Sequence, residues 1–291
     1  MRRKYTLTRS VIVIVVCLTI FLAVLIDNSS ICAESYSVSL EDLTFSVRIV
    51  LLSDLHGKSF GRENSRLIAT IQEQSPDVIF LDGDMIDRSA DQTDVQELLR
   101  LIERLHEIAP VYFAPGNHEL EYMQTDASLL TQVAETGAVV VNDSYVDVTI
   151  AGQPLRIGGT MGHAFYFGRS EEEFSSSPEY RFLKEFEDTD VPKICLAHMP
   201  DTFIFNGAYN LWNVDLVLSG HTHGGLIRLP FIGGLYAPMQ GWFPEYDRGY
   251  FCLGEHMQMV ISAGLSGHGV IPRINNPPEV VILELEPKSG E

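Results

Sequence analysis

Five apolar runs between residues 45 and 218 each end in side chains that ligate metals, and this repetition constrains the fold more than any other feature of the chain. The last run, Val214 to Leu218, leads into Ser219-Gly220-His221-Thr222-His223-Gly224-Gly225, which sets two imidazoles two residues apart on a glycine-flanked turn. Before it come Phe45 to Leu52 ahead of Asp54-Leu55-His56, Asp77 to Leu81 ahead of Gly83-Asp84-Met85-Ile86-Asp87, and Val111 to Ala114 ahead of Gly116-Asn117-His118-Glu119. Lys193 to Ala197 runs into His198. Short runs rich in Val, Ile and Leu read as buried strands. A parallel or mixed sheet delivers its strand-end loops along one edge, so five distant stretches can meet at one site.

Helical spacing fills the gaps between the first strands. Glu63 to Glu73 places Leu67, Ile68 and Ile71 on one face, and Thr93 to Ile108 does the same with Val95, Leu98, Leu99, Ile102 and Leu105. Pro76 and Pro110 stop these helices. Strand, helix, strand, helix, strand is an α/β layering. After a helix near Ala127 to Glu135 come short strands at Ala138 to Val141, Tyr145 to Ile150 and Pro154 to Gly158, joined by Asn142-Asp143 and Ala151-Gly152-Gln153 turns. Glu171 to Asp188 reads as partly helical, and strands return at Tyr250 to Leu253, Gln258 to Ser262 and Val280 to Leu285. Two mixed sheets packed face to face with helices outside accommodate this count, in one domain over residues 45–288.

Residues 1–33 stand apart. Val11 to Ile26 is apolar except for Thr19 and follows Arg2, Arg3, Lys4 and Arg9, the pattern of a signal peptide or an uncleaved signal anchor. Either places the remainder outside the cytoplasmic membrane. Residues 34–44 read as a polar tether. Without residues 1–33 the chain keeps 16 basic and 38 acidic residues, a formal charge of −22. So acidic a domain is not expected to bind nucleic acid. A monomer is expected. Cys195 and Cys252 fall in strand-like stretches and read as small core residues, with a bridge between them left open in an oxidising compartment.

Asp54, His56, Asp84, Asn117, His198, His221 and His223 combine carboxylate, carboxamide and imidazole with no thiolate, a set suited to first-row divalent ions. Seven ligands exceed one ion's needs and fit two that share a bridge, for which Asp84 is the natural choice. Two such ions clamp a phosphoryl group and lower the pKa of a bridging water, and no nucleophilic side chain is then required.

The ordered series Asp-x-His, Gly-Asp-x-x-Asp, Gly-Asn-His-Glu, His, Gly-His-x-His over residues 54–223 resembles the calcineurin-like metallophosphoesterase superfamily. Gly224 to Pro230 and Arg273-Ile274-Asn275-Asn276-Pro277-Pro278-Glu279 resemble a bacterial subgroup of exported or membrane-associated phosphodiesterases. The resemblance implies a four-layer α/β/β/α sandwich. It implies that Asp54, His56, Asp84 and His223 hold one ion and Asp84, Asn117, His198 and His221 the other, manganese foremost, with iron, zinc or magnesium as alternatives. His118 matches the family's non-ligand histidine that protonates the leaving group or stabilises charge on it, and Asp87 the carboxylate that orients it, expected to be buried. Arg88 falls where related phosphatases place a phosphate-binding arginine.

The expected activity is hydrolysis of phosphodiester or pyrophosphate bonds by a metal-bridging hydroxide, on a small-molecule or lipid phosphoester. The alternatives are a lipid-linked pyrophosphate hydrolase, like the related UDP-2,3-diacylglucosamine hydrolases, and a metal-binding surface module without catalysis. Other candidates read more plainly. His106 and His256 belong to solvated faces, and His163 and His268 lie in glycine-containing loops of the kind that rim a site. Phe165, Tyr166, Phe167, Trp242, Phe243 and Tyr246 read as cover for a core edge rather than a binding groove.

Overall fold

Two mixed six-stranded sheets lie face to face. The computed structural model describes residues 14, 15, 18, 19, 22, 24, 28–161, 173, 175–267 and 271–288. Most of the apolar run Val11 to Ile26, with Cys17, His163, Phe165, Tyr166, Phe167 and His268, lies outside them. Among the described residues no helix is long and apolar enough to cross a membrane.

The first sheet takes β1 (Cys32–Leu40), β2 (Val47–Leu52), β3 (Val78–Asp82), β4 (Val111–Ala114), β5 (Val139–Val140) and β16 (Glu279–Pro287), in the order β1-β16-β2-β3-β4-β5. Strands β2 to β5 run parallel, Leu51 opposite Phe80 and Leu81 opposite Phe113. The second takes β6 (Ser144–Ile150), β7 (Gln153–Thr160), β8 (Lys193–Ala197), β9 (Leu216–Ser219), β14 (Gly249–Leu253) and β15 (Met257–Ile261), in the order β14-β15-β9-β8-β7-β6. Here β7, β8, β9 and β15 are parallel.

Alternation along each strand sorts side chains into three apolar layers. Ile49, Leu51, Phe80 and Tyr112 meet Ile157, Ile194, Leu196 and Leu218 between the sheets. The opposite face of the first sheet, with Leu52, Ile79, Leu81 and Phe113, is covered by α1 (Ser65–Gln74) and α2 (Gln92–His106) through Leu67, Ile71, Leu98 and Ile102. The outer face of the second, with Cys195, Val217 and Met259, is covered by α5 (Pro178–Phe186) through Phe182, Leu183 and Phe186. The result is the α/β/β/α sandwich. Helix α2 starts where Asp91 accepts hydrogen bonds from Thr93 N and Asp94 N while Asp94 Oδ2 accepts one from Asp91 N, a reciprocal cap. There are also short helices α3 (Asn117–Tyr122), α4 (Leu129–Glu135) and α6 (Asp201–Ile204).

The stretch read as a polar tether is a strand. Residues 32–40 pair with β16 along their whole length, Tyr36 opposite Leu283 and Val38 opposite Leu285. Their period-two alternation, serines at 35, 37 and 39 against Tyr36, Val38 and Leu40, buries Val38 and Leu40 and leaves the serines outward. Cys252 is exposed rather than a core residue, and Cys195 is buried; neither is in a disulfide. His106 and His256 are exposed, as expected. Between β9 and β14 the chain makes two small antiparallel hairpins, β10 (Arg228–Leu229) with β11 (Gly233–Gly234) and β12 (Tyr236–Ala237) with β13 (Gly241–Trp242). Their two-residue strands are too short to register as periodicity.

Candidate metal centre

All nine side chains singled out from the sequence gather at one edge of the sandwich, beyond the C-terminal ends of β2, β3, β4, β8 and β9. Five of them turn sharply to do so. Asp54, His56, Asp84, His221 and His223 all have positive φ, between 47° and 67°, a region costly to residues with a Cβ. The neighbouring glycines permit the crowding that follows. A Cβ on Gly83 would lie 2.6 Å from the backbone of Gly116 and 2.7 Å from the His198 ring.

One potential ligand atom from each of Asp54, His56 and His223 falls within 4.8 Å of the others, and the same holds for Asp84, His198 and His221. The two groups are contiguous. Asp54 Oδ1 lies 3.9 Å from His198 Nε2, and Asp84 Oδ2 lies 3.8 Å from His56 Nε2 and 3.2 Å from His198 Nε2. The donor set fits divalent metal on its own chemistry. His56 Nε2, His198 Nε2, His221 Nε2 and Asn117 Oδ1 are buried without a hydrogen-bond partner, an arrangement that costs free energy unless a cation completes it.

Backbone contacts fix which atoms face inward. His198 Nδ1 lies 2.7 Å from Asp82 O and His223 Nδ1 lies 3.2 Å from Ser266 O, so each donates from Nδ1 and keeps a lone pair on Nε2 for metal. His118 is the reverse. Its Nδ1 accepts from Arg88 N at 3.1 Å, which in the neutral ring leaves the proton on Nε2. His118 Nε2 is 3.9 Å from Asp84 Oδ2, and His56, Asp84 and His118 also form a group within 4.8 Å. Distance alone does not separate the imidazoles; the tautomer does.

Burial pushes the His56 imidazole down to about 4 and the His221 imidazole down to about 3, each outweighing the nearby carboxylates. Both are therefore neutral at physiological pH and ready to ligate. Burial resists charge on His198 too, but Asp84, Asp54 and Asp82 overcome it and raise its pKa, so without metal a proton faces Asp84 from Nε2 and metal binding would displace it. For Asp84 burial favours the acid, and His198, His56 and His118 win, holding it ionised.

Asp87 departs from expectation. Its side chain is 44% exposed and its Oδ1 accepts from Ser89 N and Ser89 Oγ, while Oδ2 approaches His118 Nδ1 only to 3.4 Å. The loop beyond β3 leaves it on the cavity wall in water, where the capping serine claims it. Arg88 points outward and pairs with Glu121 Oε2 at 3.0 Å.

Sequence reasoning missed the groups behind the ligands. Glu119, wholly buried, accepts from Asp84 N, Met85 N and Gly116 N at 2.7 to 2.8 Å and from Ile86 N at 3.1 Å, tying the β3 and β4 loops together. Burial, with Asp84 alongside, pushes its carboxyl up to about 7 against those four donors. Arg273, also fully buried, donates to Ser266 O, Ala263 O and Asn276 O, so it shares the Ser266 carbonyl with His223. Their signal lay in the Gly-Asn-His-Glu and Arg-Ile-Asn-Asn-Pro-Pro-Glu strings. A cavity of about 500 Å³ opens over the centre, lined among others by His56, Asp87, Arg88, His118, Lys58 and Asn28.

A family model for calcineurin-like phosphoesterases matches residues 47–225, the stretch that carries every residue of the centre. The chain belongs to the calcineurin-like phosphoesterase family. This family member is 31% identical over 265 residues to a metallophosphoesterase of Campylobacter jejuni, covering 88% of its own length and 63% of the relative's. It is 29% identical over 244 residues to the phosphodiesterase YaeI of Escherichia coli, covering 82% of each. Among solved structures it aligns with TT1561 of Thermus thermophilus at a TM-score of 0.49 and 20% identity, over 76% of this chain and 91% of that one. The chain thus spans less than two thirds of the Campylobacter relative.

Proposed function

We propose that this phosphoesterase hydrolyses phosphodiester or pyrophosphate bonds with two divalent ions, manganese foremost, outside the cytoplasmic membrane to which its N-terminal segment holds it. The observation that carries the reading is the set of four orphaned buried donor atoms, with Asp54 and Asp84 between them. Asp54, His56 and His223 with one oxygen of Asp84 would hold one ion; Asp84 with Asn117, His198 and His221 would hold the other. When bound, such ions supply Lewis-acid charge to a phosphoryl group and activate water at neutral pH.

The chain's own residues do the rest. His118, with Nδ1 occupied by Arg88 N–H, presents Nε2–H to the cavity and donates a hydrogen bond to the departing oxygen, stabilising the negative charge that develops there. Asp87 Oδ2 stands 3.4 Å from Nδ1 and helps orient the ring. Similarity to the phosphodiesterase YaeI supports diesters ahead of monoesters. Arg2, Arg3, Lys4 and Arg9 ahead of the apolar run support the outward orientation.

A second reading, a lipid-linked pyrophosphate as substrate, is favoured by one feature. Asn28, two residues beyond the apolar run, lines the cavity over the centre. The test is the full-length protein, stripped by chelator and reloaded with Mn²⁺, Fe²⁺, Zn²⁺ or Mg²⁺, assayed on bis(p-nitrophenyl) phosphate and p-nitrophenyl phosphate. Turnover of the diester restored at two ions per chain is expected. Turnover unaffected by the chelator, or a preference for the monoester, overturns the proposal.

A further inference from the structure

The two hairpins β10–β11 and β12–β13 carry apolar side chains where the rest of the surface carries charge. Residues 229–244 include no charged residue, although 20% of the chain is Asp, Glu, Lys or Arg. Phe231 is fully exposed, and Ile232, Trp242 and Phe243 are each more than half exposed. The tips hold these side chains outward at a cost, since Phe231, Met239 and Phe243 all have positive φ between 55° and 67°. Trp242 stands against Tyr236 edge to face, so the expectation that Trp242 and Phe243 cover a core edge fails. It holds for Tyr246, which packs on the α5 side of the core.

The bases of the hairpins are fixed as firmly as the tips are bare. Asp247 Oδ2 accepts from Arg228 at 2.7 Å and from Gly234 N at 2.6 Å, and Asp247 O accepts from Thr222 Oγ1 inside the His-x-His turn. A rigid apolar projection beside the centre is not the remnant of a loose loop.

What it faces is indicated by the N-terminal segment. Asn28 pairs with the backbone of Arg273 in both directions, its Nδ2 donating to Arg273 O at 2.9 Å and its Oδ1 accepting from Arg273 N at 3.2 Å. Lys58 Nζ donates to Asn28 O at 2.9 Å. The next residue, Ile274, bonds the base of the hairpins, its carbonyl accepting from Arg228 N at 3.0 Å. The apolar run Val11 to Ile26 therefore joins the folded domain one residue along a shared segment from the bare hairpins. An acidic chain is repelled by an anionic surface unless the approaching patch is uncharged, as this one is.

We propose that the hairpin tips at Phe231, Ile232, Met239, Trp242 and Phe243 enter the interfacial layer of the bilayer that holds the protein's own N-terminal segment. Exposed aromatic side chains settle at that depth, where ring and headgroup region match. The cavity rim, which includes Asn28 and Ile271, then opens at the membrane surface. This rests on the anchoring read above for the N-terminal segment.

The test uses full-length protein reconstituted in phosphatidylcholine nanodiscs with brominated or ordinary acyl chains. The chain has two tryptophans, and Trp212 is buried. Bromolipid is expected to remove about half of the emission of the wild type, and none from Trp242→Phe, as for a ring at interfacial depth. Wild-type protein that co-elutes with nanodiscs but keeps its full emission overturns the docking surface alone. Protein that does not co-elute overturns the anchoring and this proposal with it. A wild type of doubled mass whose Trp242 is shielded from acrylamide without bromolipid quenching assigns the patch to a second copy, and also overturns it.

Discussion

The ring of His118 accepts the backbone N–H of Arg88 through Nδ1 at 3.1 Å, and this one contact separates it chemically from the imidazoles around it. His198 and His223 face carbonyls with the same atom. The chain thus sets protons on opposite sides of neighbouring rings, one toward the cavity and the others away from it.

His118→Ala should accordingly keep both ions yet lose about 10²- to 10⁴-fold in kcat on diesters with poor leaving groups. The loss should shrink for nitrophenolate, which departs without a proton. Arg88→Ala keeps the backbone N–H and so should cost far less than His118→Ala. The measurement is the ratio of mutant to parent kcat across leaving groups of graded pKa, on protein of known metal content. A flat ratio, or metal lost with activity, would move His118 among the ligands.

The hydrogen bonds of Glu119 go to backbone N–H groups rather than to a ligand side chain, and they anchor the peptide that carries Asp84. Glu119→Gln puts an amide donor against two of the four N–H groups, leaving donors unsatisfied at about 1 to 3 kcal/mol each. The expected outcome is a lower Tm for the metal-free protein together with weaker binding of both ions in titration. Unchanged affinity with a lowered Tm would confine Glu119 to the fold.

Arg273 acts on the other side of the centre. Arg273→Met leaves the Ser266 carbonyl with His223 Nδ1 alone and frees the buried carbonyls of Ala263 and Asn276. Loss of a group that orients a metal-bound imidazole costs 10- to 100-fold in affinity. One of two ions should therefore dissociate in a competition assay at chelator concentrations that leave the other bound. Equal weakening of both ions would point to general collapse of the loop instead.

How much of this was legible in the sequence follows from the range of each interaction. Strands β2, β3, β4, β8 and β9 and their ligands were readable because each combines a local apolar run with a terminal polar cluster. β1 was not, since its serines alternate with Tyr36, Val38 and Leu40 in a stretch with too few large apolar residues to stand out. Its partner, β16, lies almost 250 residues away. Asp87 was placed correctly at the cavity and wrongly inside it, because exposure depends on the path of the loop after β3. The four N–H groups that meet at Glu119 come from two loops more than 30 residues apart, a relation that no local pattern encodes.

Asp201 gives the pH-dependent test, being buried at the first turn of α6 with neither carboxylate oxygen hydrogen-bonded by a side chain or a neighbouring backbone group. Burial pushes its carboxyl up from 3.8 to about 6. A carboxyl raised in the folded state stabilises it below the unfolded pKa and loses that contribution as pH rises through the folded one. In Asp201→Asn the titration is gone. The stability of the mutant relative to wild type should therefore improve by about 2 kcal/mol between pH 4 and pH 8, whatever its offset at pH 4. Most of that change should fall between pH 4 and 7. Denaturant unfolding of both proteins in chelator across this range measures it, and parallel stability curves would show that Asp201 is ionised or paired at all of these pH values.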